Sequence, residues 1–184
     1  MRLWLWRHAA VALPGGYCYG ISDVPAQAEA TREAAAALAA ALPAGVPLAV
    51  SGLMRAQQLA AVAQRLRPAL GAVRVDTRLN EFDFGRFELV RWDAIPAAAF
   101  DPWMTDFADH RFGGHDSTQA LIGRVANALI DAHRTGLPEI AWITHAGVIR
   151  AAQYLRAHGP RRIAAASEWP REAPAPGGHT VIDF

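Results

Sequence analysis

Apolar and polar positions fall along this chain in blocks of two kinds. Leu3-Trp4-Leu5-Trp6 is a short unbroken apolar run that stops abruptly at Arg7-His8. A run of that length without polar alternation is the mark of a strand buried on both faces. Leu48 to Ser51 and Ile140 to Thr144 repeat the pattern, and Val73 to Val75 is a shorter version of it. Between these runs the apolar spacing changes to that of helices. Thr31 to Leu42 is rich in Ala with Glu and Arg, all strong helix formers, and is stopped by Pro43 and Gly45. Leu53 to Leu70 carries Leu59, Val62, Ala63 and Leu66 at helical spacing. Asp116 or Ser117 can cap a helix running to about Arg134, with Leu121, Val125, Leu129 and Ile130 on one face. Val148 to Ala157 predicts another helix, and Trp92 to Ala108 a helix broken at Pro96 and Pro102. Asn80 to Phe87 is a structured loop around Gly85, Arg111 to Gly114 a turn, and Thr180 to Ile182 a closing edge strand. Gly159 to Gly178 is rich in Pro, Ala and Gly and carries no periodic signal.

Strands alternating with helices imply an α/β layer fold with a mostly parallel sheet. The chain has 184 residues and no internal repeat, which fits one domain spanning residues 1–184. Composition narrows the function classes. A formal net charge of +1 speaks against a nucleic-acid footprint, and every basic side chain apart from His is Arg. The single cysteine, Cys18, allows neither an internal disulfide nor a cysteine-based metal cluster. It reads as a small hydrophobe rather than a nucleophile. No secretory leader is evident at the N-terminus, and no apolar run approaches the roughly 20 residues that span a bilayer. A cytoplasmic protein is expected.

Three of the strand candidates end in residues suited to an anion. The first ends at Arg7-His8, the second at Ser51 with Arg55 shortly into the next helix, and the third at Thr144-His145-Ala146-Gly147 just before a helix. In a parallel sheet these ends lie on one edge, where open α/β sheets bind ligands. Helix N-termini add unpaired N–H groups, and Arg adds bidentate donors that match a phosphoryl group. Glu81, between Leu79 and Phe82, is a carboxylate candidate nearby, with Asp83 and Glu88 next in line. His115-Asp116 resembles half a metal site but has no second pair of ligands, so no metal is expected. Trp4 and Trp6 read as core.

In order along the chain, Leu5-Trp6-Arg7-His8, Ser51 to Gln57, Leu79 to Glu88, Gly114 to Ser117 and Thr144 to Arg150 resemble the motifs of the histidine phosphatase, or phosphoglycerate mutase-like, superfamily. The resemblance implies a three-layer sandwich with helices on both faces of the sheet. It also implies a phosphomonoesterase. His8 would be the nucleophile, Arg7, Arg55 and His145 would hold the phosphoryl oxygens beside Ala146, and Glu81 would be the proton donor. No cofactor or metal is implied. The family usually has Gly-Glu after its Arg-His, where this chain has Ala9-Ala10. Cys18 to Pro25 resembles the α-ribazole phosphatase subgroup of cobalamin synthesis, which also departs from Gly-Glu. That subgroup implies α-ribazole 5′-phosphate as substrate. Tyr19, with Tyr17, Phe82, Phe84, Phe87 and Trp92, would supply aromatic walls. Two alternatives stand beside it: a phosphatase for another small phosphate ester, and a degenerate member that binds phosphorylated ligands without turnover. The expected partner is a small-molecule phosphate ester, with no nucleic acid and no membrane; a homodimer and a monomer are both open.

Overall fold

The computed structural model describes residues 1–71 and 73–184 and is built on one five-stranded sheet. Its strands are β1 (Arg2–Arg7), β2 (Leu48–Val50), β3 (Val73–Val75), β4 (Glu139–Thr144) and β5 (His179–Asp183), in the order β3-β2-β4-β1-β5. All neighbours run parallel except β5, which pairs antiparallel with β1 at the edge. The α-helices are α1 (Ala28–Ala41), α2 (Met54–Leu66), α3 (Phe100–Thr105), α4 (Thr118–Arg134) and α5 (Ala146–His158).

Successive strand residues point to opposite faces, and here both faces are covered. Leu3, Leu5, Ile140 and Trp142 pack against α4 and α5. Trp6, Leu48, Val50, Ala141 and Ile143 pack against α1 and α2 on the other side. That is why these strands read as continuous apolar runs rather than alternating ones. Leu3, Leu5 and Leu38 are fully buried, and each such side chain stabilises the fold by about 1.5–3 kcal/mol.

Parallel register brings the strand ends together. Arg7 pairs with Thr144 and Val50 with Ile143, so β1, β2 and β4, the three central strands, finish level. Backbone hydrogen bonds carry the register one residue further, from His8 N–H to Thr144 C=O at 3.0 Å and from Ser51 N–H to Ile143 C=O at 3.0 Å.

Several expectations need correction. Ile130 is 47% exposed, because it lies one residue and about 100° of helix rotation past Leu129. The buried seam of α4 is Leu121, Val125, Ala128, Leu129 and Ala132. Leu66 is 56% exposed, and α2 buries Ala56, Leu59, Ala60 and Ala63 instead. Pro102 does not break a helix: it sits in the first turn of α3, where its missing N–H costs nothing. The unperiodic C-terminal stretch is held to the sheet edge. Trp6 Nε1 donates to Gly177 C=O at 3.0 Å, and Gly177 N–H donates to His8 C=O at 2.9 Å.

Candidate active site

Each strand end delivers one side chain to a common buried space. His8 follows β1 and is 2% exposed; His145 follows β4 and is fully buried. Their rings lie 5.0 Å apart between centroids. Arg55 is the second residue of α2, fully buried, and close enough to both histidines to depress their pKa values.

The surroundings set the state of each imidazole. His8 Nδ1 lies 2.7 Å from the carbonyl of Ala9. A carbonyl can only accept, so Nδ1 carries the hydrogen and Nε2 the lone pair. Burial, then the Arg55 charge, pushes the His8 pKa from 6.5 to about 3. His145 Nε2 lies 2.7 Å from Ser51 Oγ, and the Ser51 hydroxyl donates to Asn80 Oδ1 at 2.9 Å. The Gly52 N–H donates to the same Asn80 oxygen at 2.7 Å. The serine's only hydrogen is thus spent on Asn80, so His145 Nε2 is the donor and Nδ1 carries the lone pair. Burial and Arg55 hold the His145 pKa well below its usual value.

The arginines are partly committed. Arg7 Nη1 donates to Pro174 C=O at 2.9 Å. Arg55 donates from its two terminal nitrogens to Ser22 C=O at 2.8 Å and Gly20 C=O at 2.5 Å. Arg7 Nε, Arg55 Nε, His145 Nδ1 and Arg150 Nε are buried with no hydrogen-bond partner among the described residues. An unpaired buried polar group costs about 1–3 kcal/mol, so three arginine donors with the His145 Nδ1 acceptor beside them are a site prepared for a ligand rich in acceptors that also carries a hydrogen to donate.

Glu81 reaches the same place from the loop after β3. Its Oε2 accepts from the Gly147 N–H at 3.0 Å, at the second residue of α5. Ala146, the first residue of α5, is 9% exposed beside it. Arg124 of α4 pins the acidic segment: it donates to the carbonyls of Arg78 at 2.7 Å, of Asn80, and of Glu81 at 2.9 Å. Thr144 Oγ1 adds a bond to Leu79 C=O at 2.7 Å.

The other acids are engaged elsewhere. Glu88 accepts from the N–H groups of Gly20, Ile21, Ser22 and Phe84, and from Ser22 Oγ, at 2.5–3.1 Å. With those donors on its carboxylate it is a loop anchor, not a proton donor. The loop at residues 20–22 is thereby gripped from both sides, its N–H groups by Glu88 and its carbonyls by Arg55. Asp83 accepts from the Gly85 N–H at 2.8 Å and lies 3.2 Å from His115.

Tyr19 lies against a residue of the site, Arg55. It is half-buried with its ring under the Arg55 guanidinium, 5.4 Å from centroid to Cζ. Tyr17 pairs with Arg91, and Phe87 is buried with Phe112. Arg124 and Arg150 were missed as site residues. Arg124 had a signal: it lies three residues after buried Leu121 and four before buried Ala128, a charge on the apolar face of its helix.

Known proteins share this fold. The family model described as histidine phosphatase superfamily, branch 1, matches residues 3–162. A phosphoglycerate mutase from Thermus thermophilus is 29% identical, with a TM-score of 0.71 over 100% of this chain and 94% of its own. The protein TTHB049 from the same organism is 28% identical, with a TM-score of 0.72 and the same coverage. The alpha-ribazole phosphatase from Shigella flexneri is 23% identical, with a TM-score of 0.78 over 100% of this chain and 91% of its own, a likeness of fold. No curated protein sequence matches this one.

Proposed function

The chain belongs to the histidine phosphatase superfamily, and from that premise we propose that it is a phosphomonoesterase working through a phosphohistidine, with α-ribazole 5′-phosphate as its first substrate. The observation that carries this is the set of unpartnered buried nitrogens on Arg7, Arg55 and His145 around a neutral His8. Tetrahedral phosphate oxygens supply the acceptors the arginine nitrogens lack, the hydrogen of a singly protonated phosphate meets the lone pair on His145 Nδ1, and a neutral His8 imidazole supplies the electron pair for attack.

His8 Nε2 attacks phosphorus while the bond to the ester oxygen breaks. Arg7 and Arg55 take up the charge on two equatorial oxygens, and the third, carrying the hydrogen of a singly protonated phosphate, shares that hydrogen with His145 Nδ1. Glu81 gives its proton to the departing alcohol. A water, losing its proton to Glu81, then attacks the phosphohistidine; the P–N bond breaks and its pair returns to Nε2, releasing inorganic phosphate.

Ala9-Ala10 stands where the family usually has Gly-Glu, so the glutamate side chain is missing at Ala10, but the Ala9 carbonyl fixes the His8 tautomer. The substrate rests on the resemblance at Cys18 to Pro25, with a relative of the same fold that is an alpha-ribazole phosphatase. A quenched reaction with labelled phosphate ester should leave acid-labile, base-stable label on the His8 peptide. His8→Ala should lose p-nitrophenyl phosphate hydrolysis to background. Label on Ser51 or Cys18 would overturn the mechanism. Equal kcat/KM on α-ribazole phosphate and ribose 5-phosphate would remove the substrate and leave the chemistry.

A further inference from the structure

The groups described so far hold a phosphoryl group and leave the alcohol half of the ester unplaced. A cavity of about 310 Å³ opens directly beside Glu81. At its floor lie Glu81, Gly147 and Arg150. Arg150 Nη2 is spent on Arg171 C=O at 3.2 Å, while its Nε is buried and unpartnered. Arg150 lines the cavity together with Glu81, and the charges of Glu81 and Arg7 both act on it.

Above that floor the walls are flat and apolar. Phe82, Phe84, Trp103, Phe107 and Trp169 line them. Trp103 and Phe107 stack at 5.6 Å and 16°, and Trp169 meets Phe107 at 6.2 Å and 61°, closing the cavity from the C-terminal segment. The indole N–H of Trp103 is turned to Thr118 Oγ1 at 3.4 Å. A ring entering here therefore meets mainly aromatic faces, with the Trp103 N–H already engaged and the unpartnered Arg150 Nε standing beside Glu81. The size is at the small end of ligand pockets, enough for a bicyclic ring and a short linker. A larger depression, about 870 Å³, lies outside between α1 and α2 and holds none of these residues.

We infer that this cavity is the alcohol-side subsite of the enzyme: it takes a planar apolar ring joined to the phosphate through an oxygen-bearing linker, with Trp103 and Trp169 as the specificity-determining faces and Arg150 as the ligand of the linker oxygen. The inference rests on the phosphatase reading above and moves recognition of the ring away from Tyr19. Its physical basis is the match between an apolar ring and aromatic walls, set against the cost of burying a purine's amino and ring-nitrogen groups against those apolar faces.

The test compares 2-(1-naphthyl)ethyl phosphate with ethyl phosphate. Both have primary alkyl leaving groups, so the chemical step is matched and the ring is the difference. The naphthyl ester should have a kcat/KM higher by about tenfold or more, corresponding to about 1.4 kcal/mol per decade. Trp103→Leu and Trp169→Leu should each shrink that ratio at least threefold. Because both rates come from one preparation, the ratio is independent of the fraction folded. Benzimidazole riboside 5′-phosphate should exceed adenosine 5′-phosphate by a similar factor. Arg150→Gln should slow the riboside ester more than the naphthyl ester, which has no linker oxygen beyond the ester itself. Equal kcat/KM on the two alkyl esters, or a ratio that survives both Trp variants, overturns the subsite. No turnover of either ester, or turnover that survives His8→Ala, overturns instead the phosphatase reading beneath it.

Discussion

At the scale of the residue, surroundings decide which of several similar groups can react. Cys18 is fully buried, and burial, then Glu88, raises its thiol to about 12, so it carries no thiolate near neutrality. His8 shows the opposite effect of the same cause: burial holds it neutral and available down to about pH 3. That has a thermodynamic consequence. The unfolded chain takes up a proton at 6.5 where the folded state waits until about 3, so between those values the unfolded state binds more protons. Stability is therefore full above pH 6.5 and falls on acidification through the window, by up to about 1.4 kcal/mol per pH unit for each such histidine. His145 and His179 are lowered too and act in the same sense. Asp76 titrates below 3.8 and stays out of the upper part of the window. Urea midpoints at pH 7, 6, 5 and 4 should decline steadily, and His8→Gln should flatten the decline. A midpoint that does not move between pH 7 and pH 5 would contradict a buried neutral His8.

At the scale of the element, the start of α5 is shaped by what it holds. Gly147 is its second residue, a place where Ala is ordinarily favoured over Gly by about 1 kcal/mol. Here a Cβ at residue 147 would collide with Glu81 Oε1. The glycine lets a carboxylate from a distant loop lie against the helix N-terminus and accept its N–H. The colliding atom is the far end of a flexible side chain, so it can move aside, but then it gives up its hydrogen bond from the Phe82 N–H and leaves its place. Gly147→Ala should accordingly keep Tm within a few degrees while cutting kcat/KM for ethyl phosphate by about tenfold or more, since general acid catalysis is worth about 10²–10⁴. Hydrolysis of p-nitrophenyl phosphate, whose leaving group needs little protonation, should suffer less. Unchanged ethyl phosphate turnover would move the proton donor away from Glu81.

At the scale of the whole molecule, the sheet edge stores unmet hydrogen-bonding capacity. The unpartnered nitrogens on Arg7, Arg55 and His145 come from three separate strand–helix junctions, so a phosphate that accepts from the arginines and donates its hydrogen to His145 Nδ1 ties those junctions together. A ligand present at about 100 times its Kd stabilises the folded state by about 2.7 kcal/mol. At this chain length each kcal/mol is worth roughly 2–4 °C. Orthovanadate or inorganic phosphate at such an excess should thus raise Tm by roughly 5–10 °C. Arg7→Gln should reduce the shift. No shift under conditions that saturate inhibition of turnover would mean that these nitrogens are not the anion's ligands.

By itself the sequence determined the strands, the helices, the layer class and the five motif segments at their places in the chain. Those features are local: a strand or helix writes its own period into consecutive side chains, and Arg7-His8, Arg55 and His145 stand at the ends of such runs. Only the tertiary structure decided which side chains meet. Glu81 and Glu88 lie seven positions apart in one loop, and pattern alone could not separate them. They differ because Glu88 meets backbone donors 66–68 residues away while Glu81 meets the start of α5 66 residues the other way. Arg124 grips carbonyls 43–46 residues back, and the stretch at 159–178 supplies Trp169 and Pro174 without any periodic signal. Tyr19 was legible as an aromatic near the site but not as a plate under Arg55. The physical reason is common to all of them. Periodicity is set by the backbone of one segment, whereas a polar group's partner and an aromatic ring's exposed face are set by the strand order β3-β2-β4-β1-β5, which brings segments together from across the chain.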